Sequence, residues 1–384
     1  MFSIESSFFL YPSGHKIRGG KVLRLKKAIY GLKQAGRAWH KNINNYLVKL
    51  GYRPCITDPC VYVLLLGGHT ALVMCLYVDD VVIASTKDEY ADKLATQLKN
   101  KYEMQDLGEL SWCLRMRIEY NRAARTLAMD QEAYTARVLE RAQMENCNPA
   151  PTPDRIGTRL QAAEEPNDDI KNAYQILVGS LIYAMTCTRP DIAAATSQVC
   201  RFMAKPDKTH WQAVKRIIRY LKGTIGYALK YTNSGSLKLV GYADADWGGN
   251  LDNRRSTTGY VFTLCGGPVS WASTTQSTVA LSTAEAEYMA LSQAAQELRW
   301  LRSLLSELGY AQQAPTTLYT DNQAARSMVS GSTTTKRTKH IDIRHHFVRD
   351  AVAAGDMDVQ WLPSKEMPAD FLTKPLSSLR DSWT

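Results

Sequence analysis

The stretch Ala71-Leu-Val-Met-Cys-Leu-Tyr-Val-Asp-Asp-Val-Val-Ile-Ala84 decides how the first part of the chain is built. An apolar run enters, two adjacent acids interrupt it, and a second apolar run leaves. Branched and aromatic residues in runs this short suit a buried strand pair better than a helix. Asp79 and Asp80 then fall at or near a tight hairpin turn. Neighbouring carboxylates in apolar surroundings repel each other and resist desolvation unless a cation neutralises them. On spacing alone, a solvated turn that happens to carry acids is the simpler reading.

Upstream, residues 16–41 carry nine basic side chains and no acid, among them Lys26, Lys27, Lys33 and Arg37, with Tyr30 and Trp39 interleaved. Such text can neutralise phosphates while rings stack on bases or sugars, whereas a solvated helix face ordinarily mixes signs. The whole chain has a formal charge of +10 over 384 residues, which favours a polyanionic partner. Its length suits two or three domains, and 45% hydrophobic residues exclude wholesale disorder. The eight cysteines form no CxxC pair, and several sit in apolar text. Reduced core thiols are therefore expected, and Cys55, Cys60 and His69 make a weak zinc candidate. No apolar run approaches the ~20 residues of a membrane span. Residues 1–10, with Glu5 and no basic leader, make a poor signal peptide. A soluble, intracellular protein is expected.

Downstream, residues 148–169 carry linker chemistry, because prolines stop regular structure and little there is apolar. Helical text resumes at Tyr174. In residues 210–224, Trp211, Val214, Ile217, Ile218 and Leu221 form an apolar stripe, with Lys215, Arg216, Arg219 and Lys222 over the rest. Residues 233–236 read as a flexible boundary. Strands are expected over 237–246, 260–264, 269–271 and 317–320, and a long helix over 283–308 with Gly309 as its C′ residue. Strands first, then alternating helix and strand, suggest a mixed sheet with helices on its faces.

Four acids in this last part are candidates for one centre: Asp244, Glu287, Asp321 and Asp370. Hydrolysis with two divalent cations needs several carboxylates converging from different elements. Helical spacing puts Glu287 on the face of Leu291, Ala294, Leu298 and Leu301, where a buried carboxylate is costly without a cation. Glu285 lies on another face, and Ser282-x-x-Glu285 fits a capping box. Asp321 could instead cap a helix, and Asp370, after Pro368, could complement a helix N-terminus. Asp246 shares a predicted strand face with Asp244, so periodicity does not separate those two.

Longer motifs carry a resemblance. Leu25-Lys-Lys-Ala-Ile-Tyr-Gly-Leu-Lys-Gln-Ala-Gly-Arg-Ala-Trp39, Asp58-Pro-Cys-Val-Tyr62, Tyr77-Val-Asp-Asp80 and Tyr102-Glu-Met-Gln-Asp-Leu-Gly-Glu-Leu110 resemble, in order, the reverse transcriptase of copia-type LTR retrotransposons. Val178-Gly-Ser-Leu-Ile-Tyr183, Thr188-Arg-Pro-Asp-Ile192 and residues 210–224 continue it. Gly241-Tyr-Ala-Asp-Ala-Asp-Trp247, Arg255-Ser-Thr-Thr-Gly259, Leu281-Ser-Thr-Ala-Glu-Ala-Glu-Tyr288, Thr320-Asp-Asn-Gln323 and Ala369-Asp-Phe-Leu-Thr-Lys-Pro-Leu376 resemble the ribonuclease H part of those polyproteins.

The resemblance implies an α+β and α/β multidomain chain. It comprises a truncated fingers and palm region (1–147), a linker and thumb or connection (148–235), a ribonuclease H-like mixed sheet with flanking helices (236–376) and a tail (377–384). It implies Mg²⁺ or Mn²⁺ held by Asp244, Glu287, Asp321 and Asp370, with Asp79 and Asp80 as polymerase acids. Lys26, Lys27, Lys33, Arg37, Trp39, Arg219, Lys222 and Arg255 become candidate nucleic-acid contacts. The implied partners are an RNA–DNA hybrid, an RNA template or DNA, with other retroelement proteins and no membrane. The implied location is a cytoplasmic retroelement particle or the nucleus.

Several positions depart from the family pattern. Leu114-Arg115 stands where the family reads Leu-Gly, which predicts strain if that turn needs glycine. Ser273-Thr-Thr-Gln276 replaces a lysine-bearing segment. Val359-Gln-Trp-Leu-Pro-Ser-Lys365 lacks the histidine that many ribonucleases H carry before the last acid. His340, His345 and His346 suit packing or substrate contact better than a separate zinc site. The family's further polymerase carboxylate lies upstream of the block at 25–39, where this sequence offers only Glu5. The expectation is metal-dependent cleavage of RNA in a hybrid, without DNA synthesis by this chain alone. The alternative is a catalytically silent nucleic-acid binder or a decayed element product.

Overall fold

The computed structural model describes residues 8–9, 23–24, 31–157, 159–233, 237–330 and 342–376, excepting the side chains of 8–9, 23–24, 330 and 342–345. Lys26, Lys27 and His340 lie outside the described residues, as does the side chain of His345. Two compact units emerge, Met1–Gly108 with Ser303–Ala311, and Glu109–Arg302 with Gln312–Thr384. The boundaries drawn from motif order at 147/148 and 235/236 both fall inside the second unit.

In the first unit, the two-residue strands β1 (Phe8–Phe9) and β2 (Leu23–Arg24) pair antiparallel. Helix α1 (Ala35–Lys49) precedes β3 (Arg53–Pro54), β4 (Val61–Leu66), β5 (His69–Tyr77) and β6 (Asp80–Ser85), followed by helix α2 (Asp88–Lys101). The four strands form an antiparallel sheet in chain order. Leu72, Met74 and Leu76 alternate along β5, so all three reach one face. There they join Ile43 and Leu47 of α1 and Leu94 and Leu98 of α2, helical neighbours four residues apart. The acids that open α2 (Asp88, Glu89) and the lysines that close it (Lys99, Lys101) match the helix dipole.

The second unit opens with β7 (Trp112–Cys113), β8 (Met116–Asn121) and β9 (Thr126–Asp130), then α3 (Glu132–Arg141), α4 (Asp168–Cys187), α5 (Ala193–Cys200), α6 (Lys208–Gly223) and β10 (Ala228–Thr232). The strands make a second antiparallel sheet, β10-β9-β8-β7. The expected stripe of α6 is observed: Val214, Ile217, Ile218 and Leu221 are buried against α3, α4 and α5, and Trp211 packs at their edge. His210 and Asp207 close a reciprocal capping box at its N-terminus. The described residues of 148–167 form no helix or strand, yet they are anchored. Ala150 and Leu160 enter the helical core, and Arg219 donates to the carbonyls of Asn148 (2.6 Å) and Pro149 (3.4 Å). Two buried apolar side chains and these hydrogen bonds tie down a proline-rich segment that a composition reading treats as linker.

The rest of this unit is a five-stranded mixed sheet, β13-β12-β11-β14-β15. Its strands are β11 (Val240–Asp246), β12 (Thr257–Leu264), β13 (Gly267–Thr275), β14 (Thr316–Thr320) and β15 (Met357–Trp361). β11, β12 and β13 are antiparallel, whereas β11, β14 and β15 are parallel. Helices α7 (Thr283–Glu307), α8 (Gln323–Ser330) and α9 (Asp342–Ala353) supply the connections. Gly309, after α7, has φ of +88°, the left-handed C′ geometry expected there. A second glycine is required by close approach rather than by φ. A Cβ on Gly259, which pairs with Asp244, would sit 2.7 Å from side-chain atoms of Leu372 and Thr373. Its absence lets the short 3₁₀ turn Pro368–Leu372 lie directly against β12, beside the strand carrying Asp244.

Candidate metal centre

Asp244 stands near the end of β11 and is 2% exposed. The parallel neighbour β14 ends at Thr320, so its next residue, Asp321, emerges at the same end of the sheet. Asp370 comes from the 3₁₀ turn admitted by Gly259 and is also buried. Ligand oxygens of Asp244, Asp321 and Asp370 all lie within 4.8 Å of one another, the one such grouping of acids, histidines or cysteines among the described residues. Glu287, on α7, is 6% exposed on the helix face of Leu291, Ala294, Leu298 and Leu301. The Ala245 amide donates to its carboxyl, while Oε2 is buried without a hydrogen-bond partner.

The local sequence explains why these acids are not spent on structure. Asn322, rather than Asp321, caps α8 by accepting from the Ala325 amide at 2.9 Å. Glu285 accepts from the Leu281 amide at 2.8 Å, and its own amide donates to Ser282 Oγ at 3.2 Å, so that glutamate is absorbed by the helix start. Asp246 is half-buried beside the group, and burial raises its carboxyl.

Like charge and desolvation dominate the electrostatics. Burial, reinforced by Asp244 and Asp321, pushes Glu287 up to about 9. Burial pushes Asp244 up to about 6, opposed chiefly by Lys374. The Lys374 ammonium lies 3.0 Å from Asp370 Oδ1 and 4.0 Å from Asp244 Oδ2. Thr373 Oγ1 also donates to Asp244 Oδ2. Ser364 Oγ donates to Asp321 Oδ2 at 2.6 Å, and the Trp361 indole N–H to the Asp321 carbonyl at 3.0 Å. Lys374 could have been suspected from its helical spacing after Asp370; Ser364 and Trp361 carry no such signal. A clustered, oxygen-only donor set, with Glu287 Oε2 buried and without a hydrogen-bond partner among the described residues, fits a hard divalent cation.

The other expected acids sit differently. Tyr77 and Asp80 form the last pair of the β5–β6 hairpin, so Val78 and Asp79 make its two-residue turn. Residues 77–80 are all exposed, and no third acid joins Asp79 and Asp80 at ligand distance among the described residues. Val78 has φ of +53°, unfavourable for a branched residue, and its carbonyl accepts from the Trp39 indole at 2.6 Å.

Of the basic candidates, Lys33, Arg37 and Arg255 are exposed, and Lys222 is half-buried near the end of α6. Trp39 is occupied as a buttress, packed edge-on against Tyr102 at 5.1 Å, and the Arg219 guanidinium is spent on residues 148–149. His346 is exposed. None of the eight cysteines forms a disulfide; Cys55 is buried and Cys75 exposed.

A family model for reverse transcriptase (RNA-dependent DNA polymerase) matches residues 3–155. The Pol polyprotein of tobacco (Nicotiana tabacum) transposon TNT 1-94 is 41% identical over 96% of this chain and 28% of its own length. That of Arabidopsis thaliana transposon RE1 is 36% identical over 94% of this chain and 24% of its own length. The chain belongs to the copia-type retrotransposon Pol family. It spans about a quarter of the length of those curated Pol relatives. A foamy viral protease-reverse transcriptase solved with an RNA/DNA hybrid aligns at 12% identity over 89% of this chain and 40% of that one, with a TM-score of 0.46. No helix among the described residues of this Pol chain is long and apolar enough to cross a membrane.

Proposed function

We propose that this Pol segment cleaves the RNA strand of RNA–DNA hybrids with Mg²⁺ or Mn²⁺, through a ribonuclease H-like domain spanning residues 236–376. The observation that carries the reading is the convergence of Asp244, Asp321 and Asp370 within 4.8 Å, with the buried, partnerless Oε2 of Glu287. Burying so many carboxylates is unfavourable unless cations compensate them. Bound there, two divalent ions supply an activated water and a counter-charge for the departing 3′ oxygen.

The protein's own part is positional. β11 and β14 hold Asp244 and Asp321 at one sheet end, the 3₁₀ turn brings Asp370 against them, and α7 brings Glu287. Ser364 and Thr373 orient two of these carboxylates through hydroxyl donors. Exposed Lys33, Arg37 and Arg255 suit contacts to phosphates, which recognise a hybrid by backbone and shape rather than by base. Incubating the purified chain with an end-labelled hybrid, with Mg²⁺ and with EDTA, tests the reading. Cleavage confined to the RNA strand and abolished by EDTA is expected; intact hybrid at every Mg²⁺ and Mn²⁺ concentration would overturn it.

A further inference from the structure

The carboxylate cluster has an uneven charge environment. On the side of Asp370 and Asp244 the Lys374 ammonium lies at 3.0 and 4.0 Å, and the Thr373 hydroxyl donates to the same Asp244 oxygen. On the side of Glu287 no cation lies within ion-pair distance among the described residues, Oε2 has no hydrogen-bond partner there, and Lys374 acts on this carboxyl only as a weaker, more distant charge. Lys374 follows Asp370 by four residues, immediately after the 3₁₀ turn, so the chain itself delivers the ammonium to that carboxylate. Its side chain is 40% exposed and also lines a small cavity with Asp154, Asp191 and Gln198. The ammonium can therefore leave the carboxylates for water or for an acid-lined space without unfolding anything.

We infer, building on the metal-centre reading, that Lys374 is a tethered cation that holds the Asp370–Asp244 side of the cluster until a divalent ion displaces it. A monovalent ammonium at 3.0 Å offsets part of the repulsion among the carboxylates, and any ion seated on those oxygens must displace it or bind close to it. Binding at that side is an exchange of one cation for another, so the lysine stabilises the metal-free protein while weakening metal binding.

Isothermal titration with Mn²⁺ alone, with no nucleic acid present, tests this on the wild-type chain, Lys374→Gln, Lys374→Arg and Asp244→Asn. Lys374→Gln should bind Mn²⁺ about tenfold tighter in at least one step, as loss of a nearby like charge requires. Its EDTA-treated form should melt below wild type, with the gap closed by added Mn²⁺. Lys374→Arg, which keeps the charge, should stay within about twofold of wild type. Unchanged or weaker Mn²⁺ binding by Lys374→Gln, beside wild-type binding that Asp244→Asn abolishes, would overturn the inference alone. Absence of Mn²⁺ binding by both wild type and Lys374→Gln would overturn the metal-centre reading beneath it. Lys374→Met, which removes the charge but keeps the apolar stem, makes the same test should the glutamine variant fail to fold: tighter Mn²⁺ binding is expected, and unchanged or weaker binding would overturn the inference.

Discussion

Two groups of acids in this chain invite the same label and have opposite surroundings. Asp79 and Asp80 are neighbours in sequence, stand on a hairpin turn and are open to water. Asp244, Glu287, Asp321 and Asp370 are scattered over more than a hundred residues, and three of the four are buried. Water screens the first pair, so their charges cost little with or without a cation. Asp244 and Glu287 in the second set lose that screening, and burial pushes both carboxyls up. Closeness along the chain thus says less about a metal centre than burial from several elements does.

The most direct way to break the comparison is to neutralise one acid of each group. Asp244→Asn should lower Mg²⁺-dependent hybrid cleavage by about a hundredfold to a thousandfold, the usual scale for losing one preorganised electrostatic group. Hybrid binding should survive, because the proposed phosphate contacts are basic residues elsewhere. The Asp79→Asn/Asp80→Asn double variant should leave cleavage within about twofold. Single-turnover rates on a labelled hybrid measure both; equal losses would mean that the exposed hairpin acids serve the same reaction.

A second, smaller effect concerns stability. An acid whose folded pKa lies above its unfolded value binds more protons when folded, so its contribution is fully present below the unfolded pKa and is lost as pH rises through the folded one. Glu287 rises from 4.5 to about 9 and Asp244 from 3.8 to about 6. Metal-free protein should therefore lose stability across pH 4 to 9, with the part above pH 6 belonging mainly to Glu287. Calorimetry in EDTA should show a melting temperature falling by on the order of 5 °C or more between pH 6 and pH 9. Glu287→Gln should flatten that limb. A wild-type profile already flat above pH 6 would mean that the carboxylate is not desolvated as its position implies.

Much of this architecture is legible in the sequence because it rests on periodicity. Helical spacing assigns Glu287 to the buried face and Glu285 to the cap, and the interrupted apolar runs place the acids of 79–80 at a turn. What escapes depends on single side chains acting across long separations. Ala150 and Leu160 anchor a segment whose prolines announce a linker, and no local pattern marks one isolated alanine and one isolated leucine as core. Trp39, read as a stacking ring, is consumed by a contact 39 residues away. Arg219, placed on the basic face of α6, reaches back to residues 148–149. Ser364 sits on Asp321 only because β15 lies parallel to β14, which sequence spacing cannot reveal.

The smallest effect compares the turns themselves, one beside the exposed acids and one in the other unit. Cys113 and Met116 close a two-residue hairpin whose turn residues, Leu114 (φ +48°) and Arg115 (φ +62°), both adopt positive φ. That mirror-image turn favours glycine, so arginine in place of the family's glycine is strained there. At Val78 the strained residue is β-branched, which raises the cost, and it is 53% exposed, so removing its side chain forfeits little burial. Relief of left-handed strain is worth about 1–3 kcal/mol, and glycine returns about 0.5–1 kcal/mol through its freer unfolded state. Val78→Gly should thus stabilise its hairpin by about 1 kcal/mol and Arg115→Gly by about half that. Hydrogen exchange at the β5–β6 and β7–β8 amides reads each locally. A loss of protection in Val78→Gly would show that the valine's conformation is held by favourable contacts that outweigh its strain, making the turn beside Asp79 and Asp80 the more rigidly built of the two.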